Sequence, residues 1–124
     1  MRLKNPNAKP LWRQYRKSAL KRGLTWEVPF ETFMQITGEP CYLCGIESSN
    51  SYVHDSKKPS SKNNPFIYNG IDRVVNSAGY VHGNLMSCCG TCNMAKKSMD
   101  IESFLSYIAR VYSYNFGTGC DDGQ

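Results

Sequence analysis

A chain of 124 residues, 40% of them hydrophobic, suffices for one domain with a modest core and is too short for two ordinary ones. No apolar run approaches the roughly 18 residues that span a bilayer, and the polar start Met1-Arg2-Leu3-Lys4-Asn5 lacks a signal-peptide stretch. No membrane partner is therefore expected, and the protein is expected to be intracellular, in the cytoplasm of its own cell or of a host. The net charge of +5 is unevenly spread, because residues 1–26 hold eight cations and no acid, leaving the rest at −3. Such a block suits a phosphate backbone, although a solubilising face or one drawn to an anionic membrane has the same composition.

In chain order, Pro10 suits a first helical turn and Leu11 to Arg22 continues the helix, with Gly23 as its stop. Leu11, Trp12, Tyr15 and Ala19 recur at helical spacing and leave Arg13, Arg16, Lys17, Lys21 and Arg22 mainly on the other face. A second short helix is predicted over Pro29 to Ile36, with Phe30, Phe33 and Met34 inward, ending before Pro40. Residues 47–65, rich in Ser, Asn, Lys and Pro, read as a surface loop. Ile71 to Val75 is strand-like, Asn76 to Gly79 turn-like, and Tyr80-Val81 begins a second strand. A helix is expected from near Cys89 to about Lys97. Asp100 then caps another, whose stripe is Ile101, Phe104, Leu105, Ile108 and Val111. The division expected is a basic helical region at 1–38, a zinc-bound region at 39–114 and a loose tail at 115–124.

Six cysteines in a reducing compartment point to metal before disulfides. Cys41-Tyr42-Leu43-Cys44 and Cys89-Gly90-Thr91-Cys92 are two CxxC pairs, each able to turn both sulfurs to one side. Four thiolates from two such knuckles form the tetrahedron that structural zinc prefers. An iron–sulfur cluster or a redox CxxC uses similar residues but accounts less well for their surroundings. Gly45 suits a turn that wraps amides around sulfur. Cys88 would make the wider CxxxC, so it is read as a small buried residue, and Cys120 as a tail thiol.

Between the knuckles runs Gly70-Ile71-Asp72-Arg73, then Gly79-Tyr80, Asn84, Cys88-Cys89-Gly90-Thr91-Cys92-Asn93 and Lys96. In this order the segments resemble the phage-type HNH endonucleases over about Tyr15 to Ile108, and are similar to the phage endonuclease VII type. The resemblance implies an α+β fold built on a small ββα-metal (His-Me finger) unit with structural zinc, basic helices before it and a helix after it. It implies Asp72 and Asn93 as ligands of a catalytic Mg²⁺ or Mn²⁺, since carboxylate and amide oxygens are hard donors. It further implies Asn84 as the residue that pins the intervening loop.

One departure stands out. Where the family places its general-base histidine, this chain has Arg73, whose guanidinium cannot accept a proton and can instead clamp a phosphate. His82 would lie across a hairpin from Arg73 if Val75 paired with Tyr80, and could substitute. His54 would reach the site only by folding the polar loop over it. Either histidine is otherwise a solvated surface residue. Lys96, one turn beyond Asn93, is expected to contact a phosphate. The function expected is a metal-dependent DNA endonuclease, acting on DNA that is branched, nicked or otherwise. The alternative is an HNH-derived zinc domain without cleavage that binds nucleic acid or a protein.

Overall fold

The structure, a computed structural model, describes residues 2–117. Cys120 and most of the expected tail lie outside the described residues. The elements in order are α1 (Ala8–Lys21), α2 (Phe30–Thr37), β1 (Asn50–Tyr52), α3 (Pro59–Lys62), β2 (Phe66–Tyr68), β3 (Gly70–Arg73), β4 (Leu85–Cys88), α4 (Gly90–Lys96) and α5 (Ile101–Phe116). The strands form two antiparallel pairs, β1 with β2 and β3 with β4. The protein is thus a mixed α and β fold with two small sheets, as expected at that level. Among the described residues no helix is long and apolar enough to cross a membrane.

The first helix begins two residues before Pro10, which then sits in the first turn, where its missing N–H leaves no helical bond unmade. Ala8, Leu11 and Ala19 are buried, and the Trp12 indole donates to the Val28 carbonyl at 2.8 Å. Phe33 is fully buried and meets Tyr15, Phe30 and Phe66 ring to ring. Burying such a ring contributes roughly 1.5–3 kcal/mol. The core joins α1 and α2 to Phe66, Ile71 and Tyr80, so the regions expected at 1–38 and 39–114 share one interior.

Three expectations are corrected. Residues 47–65 are not a bare loop, since they contain β1 and α3. Tyr52 pairs with Phe66 across the first sheet, which fastens β1 to the core. The fully buried Asn7 fastens the rest: its amide donates to the carbonyls of Ser61 and Asn64, and its oxygen accepts from the His54 amide and the Ser61 hydroxyl. These bonds satisfy backbone groups that a free loop would leave to water.

Next, the partner of β3 is β4, not a strand at Tyr80-Val81, and Arg73 lies opposite Leu85. Tyr80 instead makes a parallel bridge to Trp26. A Cβ on Gly79 would stand 2.8 Å from the Thr25 backbone oxygen, so only glycine permits this approach. Val75 and Tyr80 therefore do not pair, and His82 falls in an exposed turn.

Finally, the apolar stripe of α5 is not packed along its length. Phe104 is buried, whereas Leu105, Ile108 and Val111 remain 40–44% exposed. Asp100 occupies the N-cap position, but its carboxylate accepts from the Asn76 amide at 3.1 Å and makes no cap bond.

Candidate metal centre and adjoining cleft

Both knuckles are built by tight turns. In the first, the Gly45 amide donates to Cys41 O at 2.9 Å and the Cys41 amide to Ile46 O at 2.8 Å, which folds the segment around its sulfurs. In the second, Cys89 is the N-cap of α4 and its sulfur accepts from the Cys92 amide at 3.4 Å. The sulfurs of Cys41, Cys44, Cys89 and Cys92 all lie within 4.8 Å of one another. Those of Cys44 and Cys89 are 3.7 Å apart. Sulfurs about 2.3 Å from a tetrahedral zinc ion are separated by roughly 3.8 Å, so the four residues fit that ion.

The electrostatics of the cluster agree. Burial works to raise the Cys41 thiol, but the amides of Cys89, Cys44 and Leu43 outweigh it and bring it down to about 6. Burial raises the Cys92 thiol, helped by the neighbouring sulfurs of Cys44 and Cys89. Four thiols crowded together need a cation before all can ionise. Cys88, one residue from the cluster, is not part of it. Burial first, then the charge of Asp72, pushes its thiol up to about 12, as suits an inert packed residue.

The cluster holds the start of α4 against the second sheet, and a cleft of about 630 Å³ opens beside it. Asp72, Arg73, Asn93 and Lys97 line this cleft, together with Gln14 and Ser18 of α1 and Arg22 just past its end. Asp72 is 9% exposed; its Oδ1 accepts from the Arg73 amide at 2.8 Å, and its Oδ2 accepts no hydrogen bond. Asn93 is exposed on the first turn of α4. A Cβ on Gly70 would stand 2.8 Å from the Tyr15 hydroxyl, so the glycine lets that ring close the cleft floor. Burial, and then the neighbouring phenols of Tyr68 and Tyr80, raise the Tyr15 phenol.

Asn84 is buried and closes the 74–79 loop from both ends of its amide. The oxygen accepts from the Val75 amide at 2.9 Å, and the nitrogen donates to Val75 O at 3.1 Å and Gly79 O at 2.9 Å. Arg73 turns into the same loop, donating to Asn76 O at 2.5 Å with its guanidinium over the Tyr80 ring. Its charge is at the cleft, and one guanidinium nitrogen serves the loop while the buried Nε donates to no partner.

The histidines are elsewhere. Neither His82 nor His54 lines the cleft; His54 borders a separate hollow with Arg13, Arg16 and Lys17. The phosphate contact expected of Lys96 is corrected, because its side chain is wholly buried and paired with Asp72 at 3.2 Å. Its neighbour Lys97 is the lysine at the cleft, in a left-handed conformation with φ of 51°. Sequence periodicity on α4 carries no sign of this exchange, since the helix ends between the two residues. Asn50, Tyr52 and Tyr68 also reach the cleft from the first sheet, which was read partly as loop. Arg13, Arg16, Lys17 and Lys21 are exposed on α1, and Arg22 donates to the Tyr80 hydroxyl at 3.1 Å.

No protein-family model matches the chain, and no solved structure matches it. It is similar to an uncharacterized protein of Acanthamoeba polyphaga mimivirus, 31% identical over 107 residues. The match covers 84% of this chain and 17% of the relative, so the chain spans only a small part of that protein's length.

Proposed function

We propose that the chain is a metal-dependent endonuclease of the HNH type, cutting phosphodiester bonds of DNA in the cleft beside the four-cysteine centre. The observation that carries the reading is that Asp72 from β3 and Asn93 from α4 line one cleft, although 21 positions separate them. The order β3, β4, α4 around that cleft is compatible with a ββα-metal unit. A carboxylate whose Oδ2 accepts no hydrogen bond, although the Lys96 ammonium stands 3.2 Å from it, and an exposed amide on the same cleft are oxygen donors of the kind that Mg²⁺ or Mn²⁺ takes. When bound, such an ion supplies Lewis-acid stabilisation of the charge that builds on a phosphodiester.

The chain's own residues would do the rest. Lys97 and Arg22 both line the cleft and offer charges for the flanking phosphates. Arg73 adds positive potential at the floor while it holds the loop, and Asn84 keeps that loop from moving the end of β3. Zinc on Cys41, Cys44, Cys89 and Cys92 would have a structural part, holding the start of α4, and with it Asn93, at the cleft that Asp72 lines. The proton of the attacking water has no histidine to receive it among the residues lining the cleft. Cleavage is therefore expected to be slow at neutral pH and faster as hydroxide rises.

That same gap favours a second reading, a zinc domain that binds nucleic acid without cutting it. One experiment separates the two. Supercoiled, branched and single-stranded DNA are incubated with the zinc-loaded protein, with and without Mg²⁺ or Mn²⁺. Metal-dependent nicking is expected, and Asp72→Ala should reduce it at least about a hundredfold while zinc content stays the same. Equal nicking by that variant removes Asp72 from the chemistry, and binding without nicking in any metal selects the second reading.

A further inference from the structure

A lysine is almost never fully buried unless something holds its charge. Lys96 is such a residue, with a side chain that is 0% exposed on the last turn of α4. Its ammonium donates to the Met99 carbonyl at 2.8 Å and stands 3.2 Å from Asp72 Oδ2. The second contact is one of charge, because Oδ2 accepts no aligned hydrogen bond. The other carboxylate oxygen is tied to the Arg73 amide. Asp72 is thus fixed at one oxygen and faces an internal cation at the other.

We infer that Lys96 is the counter-ion of Asp72, a positioning residue that holds the carboxylate between β3 and α4 and competes with a divalent cation for Oδ2. This rests on the proposed reading of Asp72 as a metal ligand and extends it to how tightly the site takes its ion. A cation arriving at Oδ2 comes close to the ammonium in a partly buried place, where like charges repel more strongly than in water. The ammonium need not leave, since the Met99 carbonyl still accepts from it. The cleft would keep its shape without the ion and bind it weakly.

The test is Mn²⁺ binding to the full zinc-loaded chain, followed by the paramagnetic resonance of free Mn²⁺. Lys96→Met keeps the length of the side chain and removes the charge, and it should bind Mn²⁺ about tenfold more tightly than the parent. Lys96→Arg should stay close to the parent, and Asp72→Asn should lose the site. If Lys96→Met does not fold, the parent protein with nitrogen-15 lysine decides. One solvent-protected ammonium signal should shift on Mg²⁺ addition and remain still in Asp72→Asn. Equal Mn²⁺ affinity in Lys96→Met and the parent, or an ammonium signal indifferent to saturating Mg²⁺, overturns the inference. Loss of nicking in Asp72→Ala alongside that result would leave the nuclease reading standing, whereas no divalent binding in any variant removes both.

Discussion

Lys96 and Lys97 are neighbours in the chain with opposite environments. Helical geometry sends Lys96 inward to Asp72, while Lys97, just past the last turn, adopts φ of 51° and reaches the cleft. A side chain with a Cβ takes that backbone conformation at a cost of order 1–3 kcal/mol, which glycine avoids. Lys97→Gly is therefore expected to raise the urea-unfolding stability by about 1 kcal/mol and to weaken binding of DNA fragments. A loss of stability would show that the lysine makes contacts worth more than its strain. Unchanged binding would take Lys97 out of the cleft's function.

Among the elements, the two knuckles and α4 depend on each other most. The Cys89 amide donates to the Cys41 sulfur at 3.3 Å, so each half of the centre helps to place the other. Zinc binding contributes about 10–16 kcal/mol in zinc-finger peptides at neutral pH, comparable to the whole stability of a small domain. Cys41→Ser, or removal of zinc by a chelator, should abolish cooperative thermal unfolding. A melt at the parent's midpoint after verified zinc loss would show that the hydrophobic core stands alone. Acid should act like the chelator, because every thiolate must take back a proton as the metal leaves. The 74–79 loop is of another kind, held by Asn84, Arg73, Asp100 and the Ser98 carbonyl, and needs no metal.

For the molecule as a whole, charge is the dominant feature. The exposed cations of α1 lie along the helix that also lines the cleft through Gln14 and Ser18, with Arg22 just past its end. On the proposed reading, Arg13, Arg16 and Lys17, which border a separate hollow, are a second set of contacts for the phosphates of a duplex. Replacing Arg13, Arg16 and Lys17 together by alanine should weaken duplex binding and lower the slope of log affinity against log salt by about two to three. Binding with the parent's slope would place the phosphates elsewhere. Not every cation of the N-terminal block is available for this role. Arg2 donates to the Met34 carbonyl at 2.8 Å and stacks on Phe66, which makes it part of the scaffold.

Local features of the chain were legible without a structure wherever one short segment decides them. Helical spacing foretold α1 and α2 to within a few residues, and the paired CxxC spacing foretold which four sulfurs meet and that Cys88 would not. The part of Asn84 is legible only through the family resemblance, and in the structure its amide bonds to Val75 and Gly79. What failed depended on distant partners. Strand β1 exists because β2 pairs with it, Asn7 ties down the segment that follows, and β4 replaces a strand at Tyr80 because Trp26 holds that residue instead. The inward turn of Lys96 needs Asp72 to meet it, 24 positions earlier in the chain. Spacing along a chain sets which side chains share a face, whereas burial and pairing are set by what the rest of the fold brings opposite.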